Sequence, residues 1–300
     1  TLKAGYSSRT LFYLPFFVGQ KKGFYAGEGL QVELVNIGRS DVQLQALVAG
    51  ELHFANFNPD GIIVFNEKGG NLKAIAGVDN AAPYVLVGGK AYKRIEDLKG
   101  AKLGVSSLRG GGTSILLDYL KGKGLLHPRD FTLVVISGGT AARLTALESG
   151  AMAAAVLGIP YSDIAIDQGF NRLGDTMEVI PTYQFNAINV NPVWAEKNRA
   201  NVVKFLKAHI RSIRWIYEQP DQAAEFFTKE LGVNPPYARR GVDYFTKNKV
   251  FPVDGSVTLE GLKLNLQVLA RDGLMKEPLP PPEKVVDLSY LKQAQKELGM

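Results

Sequence analysis

Three hundred residues with 46% hydrophobic and 21% charged content describe a globular chain, long enough for two domains of roughly 100–200 residues each. The absence of cysteine excludes a disulfide framework, thiolate metal sites and a cysteine nucleophile. The net charge of +6 is spread thinly, without the blocks of about five like charges that mark a nucleic-acid tail, and no run reaches the roughly 18 apolar residues of a membrane span.

In chain order, Leu2–Tyr6 reads as a strand and Phe12–Lys22 as a helix. Leu30–Asn36 alternates as a strand, Asp41–Ala49 follows as a helix, and His53–Asn56 is a short strand. A helix over Asp60–Glu67 leads to a strand at Leu72–Val78, and Tyr84–Val87 is apolar again. A second cycle then runs strand Lys102–Val105, a Gly-rich loop, helix Ser114–Lys121, strand Thr132–Ile136, helix Thr140–Glu148 and strand Ala153–Leu157. Tyr161–Asp167 is helical, and Thr176–Ile180 is expected as a strand. Such alternation is the pattern of βαβ units and a mainly parallel sheet.

From Pro192 the chain is helical. Val202, Val203, Leu206, Ile210, Ile213 and Tyr217 mark one helix face, and Pro220, Pro235-Pro236 and Thr258 open three further helices. A proline-rich connector, Pro278–Pro282, precedes a last helix. The tail needs an apolar host, and the first sheet is the obvious one. Domain I is therefore expected over 1–86 and 187–300, with domain II, 87–186, inserted into it. The two hinge crossings are expected near 83–88 and 183–189, an arrangement that permits rigid-body closure on a ligand cleft.

Four phrases carry a resemblance. They are Gly19–Glu33 (GQKKGFYAGEGLQVE), Ala46–Ala55 (ALVAGELHFA), Ile95–Val105 (IEDLKGAKLGV) and Ala146–Gly150 (ALESG). In this order and spacing the chain resembles the solute-binding proteins of the sulfonate, nitrate and taurine ABC-importer group, which also holds binders of thiamine-precursor pyrimidines. His53 departs from the group, which usually has a short acidic residue there. The resemblance implies an α/β, two-lobed periplasmic-binding-protein fold of type II, with the helical tail packed on domain I. It also implies a periplasmic location, or tethering to the outer face of the cytoplasmic membrane. Because Thr1–Tyr6 already reads as a strand, any leader is expected to precede residue 1. The expected partners are a small-molecule solute and an ABC permease with its ATPase, and the expected state is a monomer that binds no nucleic acid, cofactor or metal.

Ligands of open α/β sheets sit beyond the strand C-termini and at helix N-termini. In the second domain this points to the loop of Ser107, Arg109, Gly111, Gly112 and Thr113, where glycines admit close backbone approach and Arg109 could pair bidentately with an anion. Without Gly-x-x-x-x-Gly-Lys-Ser/Thr it is no nucleotide loop. Ser137, Gly138 and Thr140 form a second entry of this kind, whose plain reading is an N-cap. Tyr161 lies at the same edge.

In the first domain the equivalent edges carry Tyr6, Ser7 and Ser8, then Tyr13 and Pro15, then Gly38, Arg39 and Ser40. Asn56 and Asn58 follow the third strand, Asp79 and Asn80 the fourth, and Phe185 and Asn186 lie at the return crossing. The aromatics could stack on a planar ligand.

Catalysis is not expected. The three histidines, His53, His127 and His209, are far apart and lack metal spacing, and no Gly-x-Ser-x-Gly elbow occurs. Two rivals stand beside a binding protein that takes a small organic anion. A lyase or biosynthetic enzyme on the same fold could use Asp60 or Asp79, and an effector-binding sensor domain would need a DNA-reading helix pair that is not visible.

Overall fold

The computed structural model describes residues 1–106, 108 and 111–300, so Ser107 and Arg109 lie outside the described residues. The chain divides into two compact units, Thr1–Asn80 with Thr182–Met300, and Ala81–Pro181.

The first unit is built on β1 (Leu2–Tyr6), β2 (Val32–Asn36), β3 (Phe54–Phe57) and β4 (Lys73–Asp79), joined by a late strand, Asn186–Val190. In chain order that late strand is β10. The sheet order is β2-β1-β3-β10-β4. β1 runs parallel to β2 and β3, whereas β10 is antiparallel to both β3 and β4. Alternation sorts the side chains. Phe54, Ile188 and Val190 face a core shared with the Arg199–Glu218 helix, where Phe54 and Phe205 stack with centroids 3.9 Å apart. Ala55, Phe57 and Ala187 face the opposite core, closed by the Asp60–Glu67 and Leu259–Arg271 helices. The helical tail thus covers both faces of this sheet. Asn191 caps the helix that starts with Pro192, and Thr258 caps the next-to-last helix.

The second unit holds β5 (Tyr84–Gly88), β6 (Ala101–Val105), β7 (Phe131–Val135), β8 (Ala154–Gly158) and β9 (Asn171–Asp175), in the order β7-β6-β8-β5-β9. β6 is parallel to β7 and β8, and β5 is antiparallel to β8 and β9. Leu103, Val105, Leu116 and Leu120 form the core beneath the Gly111–Gly122 helix. Val85, Val87, Leu144, Leu147 and Ala165 form the other, beneath the Gly139–Glu148 and Tyr161–Asp167 helices.

Three expectations need correction. The units divide at 80/81 and 181/182, not at 86/87 and 186/187, because Tyr84–Gly88 is a full strand of the second sheet and Asn186–Val190 a full strand of the first. The last strand of the second sheet is Asn171–Asp175, not Thr176–Ile180. There Asp175 accepts a hydrogen bond from the Met177 amide and turns Thr176–Glu178 into a short 3-10 helix.

Candidate functional site

In the first unit the polar residues gather at one end of the sheet. Tyr6, the last residue of β1, is buried against Tyr13 and Phe17, with ring centroids at 5.9 and 5.0 Å. Burial raises its hydroxyl pKa. Pro15 is buried in the first turn of the Leu14–Lys21 helix, and Phe12 brings in Phe185 at 4.9 Å. Ser7 accepts a 2.7 Å hydrogen bond from Gln43, and Ser8 pairs with Thr10 at 3.3 Å.

Asn56 lies on the Phe54 face of β3, opposite Ile188 of β10. It is fully buried, and neither its amide nitrogen nor its amide oxygen has a protein partner. Buried amides are normally satisfied, and an unsatisfied one costs about 1–3 kcal/mol. Along the same face, Asn186 donates to Asp79 Oδ2 at 2.8 Å, while Asp79 Oδ1 has no partner. Burial pushes the Asp79 carboxyl well above the usual carboxylate range, and the Asn186 bond opposes that shift. The end of this sheet therefore offers unspent amide and carboxyl atoms beside aromatic walls.

Other predicted residues serve the framework. Asn58 accepts from the Asp60 amide at 2.8 Å. Asn80 donates to the Ser256 carbonyl at 3.1 Å, and its amide donates to Val250. Asp60 is buried and receives Tyr183 Oη at 3.1 Å and Asn265 Nδ2 at 2.6 Å. Burial and the Asp60 charge together raise the Tyr183 hydroxyl. This network ties the returning chain to two helices. Gly38, Arg39 and Ser40 are exposed, and Arg39 is occupied by Asp41 two residues on. Arg39, the residue ahead of the Ser40–Ala49 helix, makes no side-chain cap, and the Asp41 carboxylate turns back to its guanidinium. His53 accepts from the Lys3 amide at 2.9 Å. His209 is buried with Nε2 3.2 Å from the Gly77 carbonyl, and burial pushes its pKa down to about 4.

In the second unit, Gly111, Gly112 and Thr113 begin a helix instead of forming the loop expected of them. A Cβ added at Gly112 would meet the Tyr84 ring at 3.5 Å, and Thr113 is buried. Ser137 and Gly138 are exposed ahead of the Gly139–Glu148 helix. Gly138 and Gly139 both take left-handed backbone, φ 96° and 79°, a pairing that glycine permits without strain. No side chain caps this helix, so Ser137 is not the N-cap. Thr140 is buried and its hydroxyl accepts from Arg143 Nη2 at 3.0 Å. Tyr161 is half-buried, and burial raises its hydroxyl pKa.

Arg143 is the residue that the strand-end reasoning misses. It is 4% exposed, and Nε donates to the Val156 carbonyl at 2.8 Å while Nη1 is buried without a partner. Burial lowers its pKa and Tyr84 opposes that. A signal for it exists in the sequence. Thr140, Arg143, Leu144 and Leu147 fall at i, i+3, i+4 and i+7, so an arginine occupies the buried stripe of its helix.

Two five-stranded sheets, each with parallel strands and antiparallel additions, define a mixed α/β periplasmic-binding-protein fold. The periplasmic nitrate-binding protein NrtA from Synechocystis superposes with a TM-score of 0.84 at 16% identity, over 99% of this chain and 88% of that one. The alkanesulfonate-binding protein SsuA from Xanthomonas axonopodis pv. citri, bound to MOPS, gives 0.76 at 16% identity, over 94% and 96%. The chain belongs to the NMT1/THI5 like family, whose model matches residues 12–223. Among curated relatives, a Bacillus subtilis protein named "Putative aliphatic sulfonates-binding protein" is 24% identical over 221 residues, 71% of this chain. The chain spans 65% of that relative's length. This agrees with the sulfonate, nitrate and taurine group drawn from the four phrases. Among the described residues, no helix is long and apolar enough to cross a membrane.

Proposed function

We propose that this chain is the solute-binding subunit of a bacterial ABC importer, acting in the periplasm or on the outer face of the cytoplasmic membrane. It binds a small organic anion of the sulfonate or carboxylate class, closes its two units about the crossings at 80/81 and 181/182, and delivers the solute to a permease. It acts as a monomer and leaves the solute unchanged. The observation that carries the reading is Asn56, fully buried at a sheet end with both amide atoms unpartnered. Ligands of such sheets occupy that end, and a solute with a donor and an acceptor would meet the unmet demand. The kinship with a sulfonate-binding protein supports the anionic class.

A second reading, a lyase or biosynthetic enzyme on the same fold, is favoured by one feature. Asp79 is a buried carboxyl with a raised pKa, as general acids often are. One experiment separates the two. The protein is incubated with methanesulfonate, benzoate, nitrate and a hydroxymethylpyrimidine, and bound material is recovered and analysed by mass spectrometry. Stoichiometric retention of one unaltered compound is the expected result. Conversion of any of them, or retention of none, overturns the importer reading.

A further inference from the structure

A buried guanidinium keeps its charge at any physiological pH, and an unmatched buried charge is costly. Arg143 is matched only by two neutral acceptors, the Val156 carbonyl and the Thr140 hydroxyl. None of the ion pairs among the described residues includes it, and the three residues outside the description, Ser107, Arg109 and Gly110, carry no carboxylate. Its third edge, Nη1, is buried and vacant. On the same face of the second sheet, Ser162 is fully buried with its hydroxyl unpartnered. Ser162 stands in the first turn of the helix that follows β8, and Arg143 is bonded to β8 through Val156. One orphan donor is thus on a side chain bonded to β8, the other stands four residues past the end of that strand, and the first is charged.

We infer that Arg143 is the residue that selects an anionic solute, with its Nη1 and the Ser162 hydroxyl donating to the two oxygens of one sulfonate, carboxylate or nitrate group. The inference rests on the importer reading and assigns the anion's headgroup to the second unit. It carries a consequence that a framework role lacks: the free protein bears an uncompensated charge for the sake of its ligand. Replacing Arg143 by an apolar side chain of similar length then removes ligand binding without weakening the empty fold. Neutral isosteres, a sulfonamide or a primary amide, are rejected by the wild type.

The test uses the full chain. Melting temperature and calorimetric affinity are measured with methanesulfonate, benzoate and nitrate, and with methanesulfonamide and benzamide as neutral counterparts. Wild type is expected to respond to at least one anion and to neither amide. Arg143→Met is expected to melt no lower than wild type when empty and to lose affinity for that anion by about 10- to 100-fold, as for a charge-assisted hydrogen bond. Ser162→Ala is expected to weaken it several-fold with an unchanged empty melting temperature, and it decides the matter if Arg143→Met does not fold. Unchanged anion affinity in the variants, or equal binding of the amides by wild type, overturns the inference and leaves the importer reading standing. A wild type that answers to none of the three anions overturns the inference, and the importer reading falls with it only if the hydroxymethylpyrimidine is not retained either.

Discussion

Asp60 in the first unit and Arg143 in the second are both ionisable side chains withdrawn from water, yet their surroundings differ. Asp60 collects donors from Tyr183 and Asn265, residues on two other elements. Arg143 leaves one nitrogen vacant. The asparagines of the first sheet repeat the contrast. Asn189 donates to the carbonyls of Phe57 and Ala187, both at 2.9 Å, and leaves only its Oδ1 without a partner, whereas Asn56, on the neighbouring strand, donates to and accepts from nothing through its side chain. Burial alone therefore does not separate a structural polar group from a ligand-seeking one. In these two pairs the difference lies in what is left unmade: one charged nitrogen on Arg143 and the whole side-chain amide of Asn56.

The contrast can be broken most readily at Asp60. Asp60→Ala strips the partner from two buried donors and is expected to cost about 4 kcal/mol of unfolding free energy, the sum of two desolvation penalties. Urea denaturation measures it, and a loss below about 1 kcal/mol would show that Asp60 is no more a framework residue than Arg143.

His209 sharpens the comparison within the first unit. Its folded pKa, about 4, lies below the unfolded 6.5, so the unfolded chain takes the proton first. Its contribution is intact above pH 6.5 and declines as pH falls towards 4, by roughly 3 kcal/mol in all. Stability curves of wild type and His209→Gln over that window should diverge, and parallel curves would remove His209 from the acid response. Asn56→Leu should leave stability within about 1 kcal/mol of wild type, or raise it, because an unpaired buried amide is lost, while solute affinity falls. A large loss of stability with binding intact would make Asn56 a framework residue. Arg39→Ala, which frees an exposed pair with Asp41, should change neither melting temperature nor affinity, and a changed affinity would bring the Gly38–Ser40 edge back into the site.

The strands with strong apolar character, such as Leu2–Tyr6 and Ala101–Val105, are legible in the sequence within a residue or two. So are the tail helices, whose proline starts and apolar stripes are local signals. Asn171–Asp175 and Asn186–Val190 are not. NRLGD and NAINV are poor strand formers, and they become strands because each finds a partner distant in sequence. That also explains the displaced unit boundary. At the site, the residue types at the strand ends are legible, but the use of their hydrogen bonds is not. Whether Asn186 is bound to Asp79, or Arg39 to Asp41, depends on neighbours that only the folded chain brings together. Arg143 is legible in principle from its helix stripe, but an arginine on a helix ordinarily faces water, and the glycine loops offer the more familiar anion signal.

Small-angle X-ray scattering of the full chain, alone and saturated with whichever of methanesulfonate, benzoate or nitrate binds, tests the closure mechanism directly. The proposed mechanism predicts a smaller radius of gyration with the anion bound, reversed on its removal. A radius that stays the same at full occupancy would contradict it.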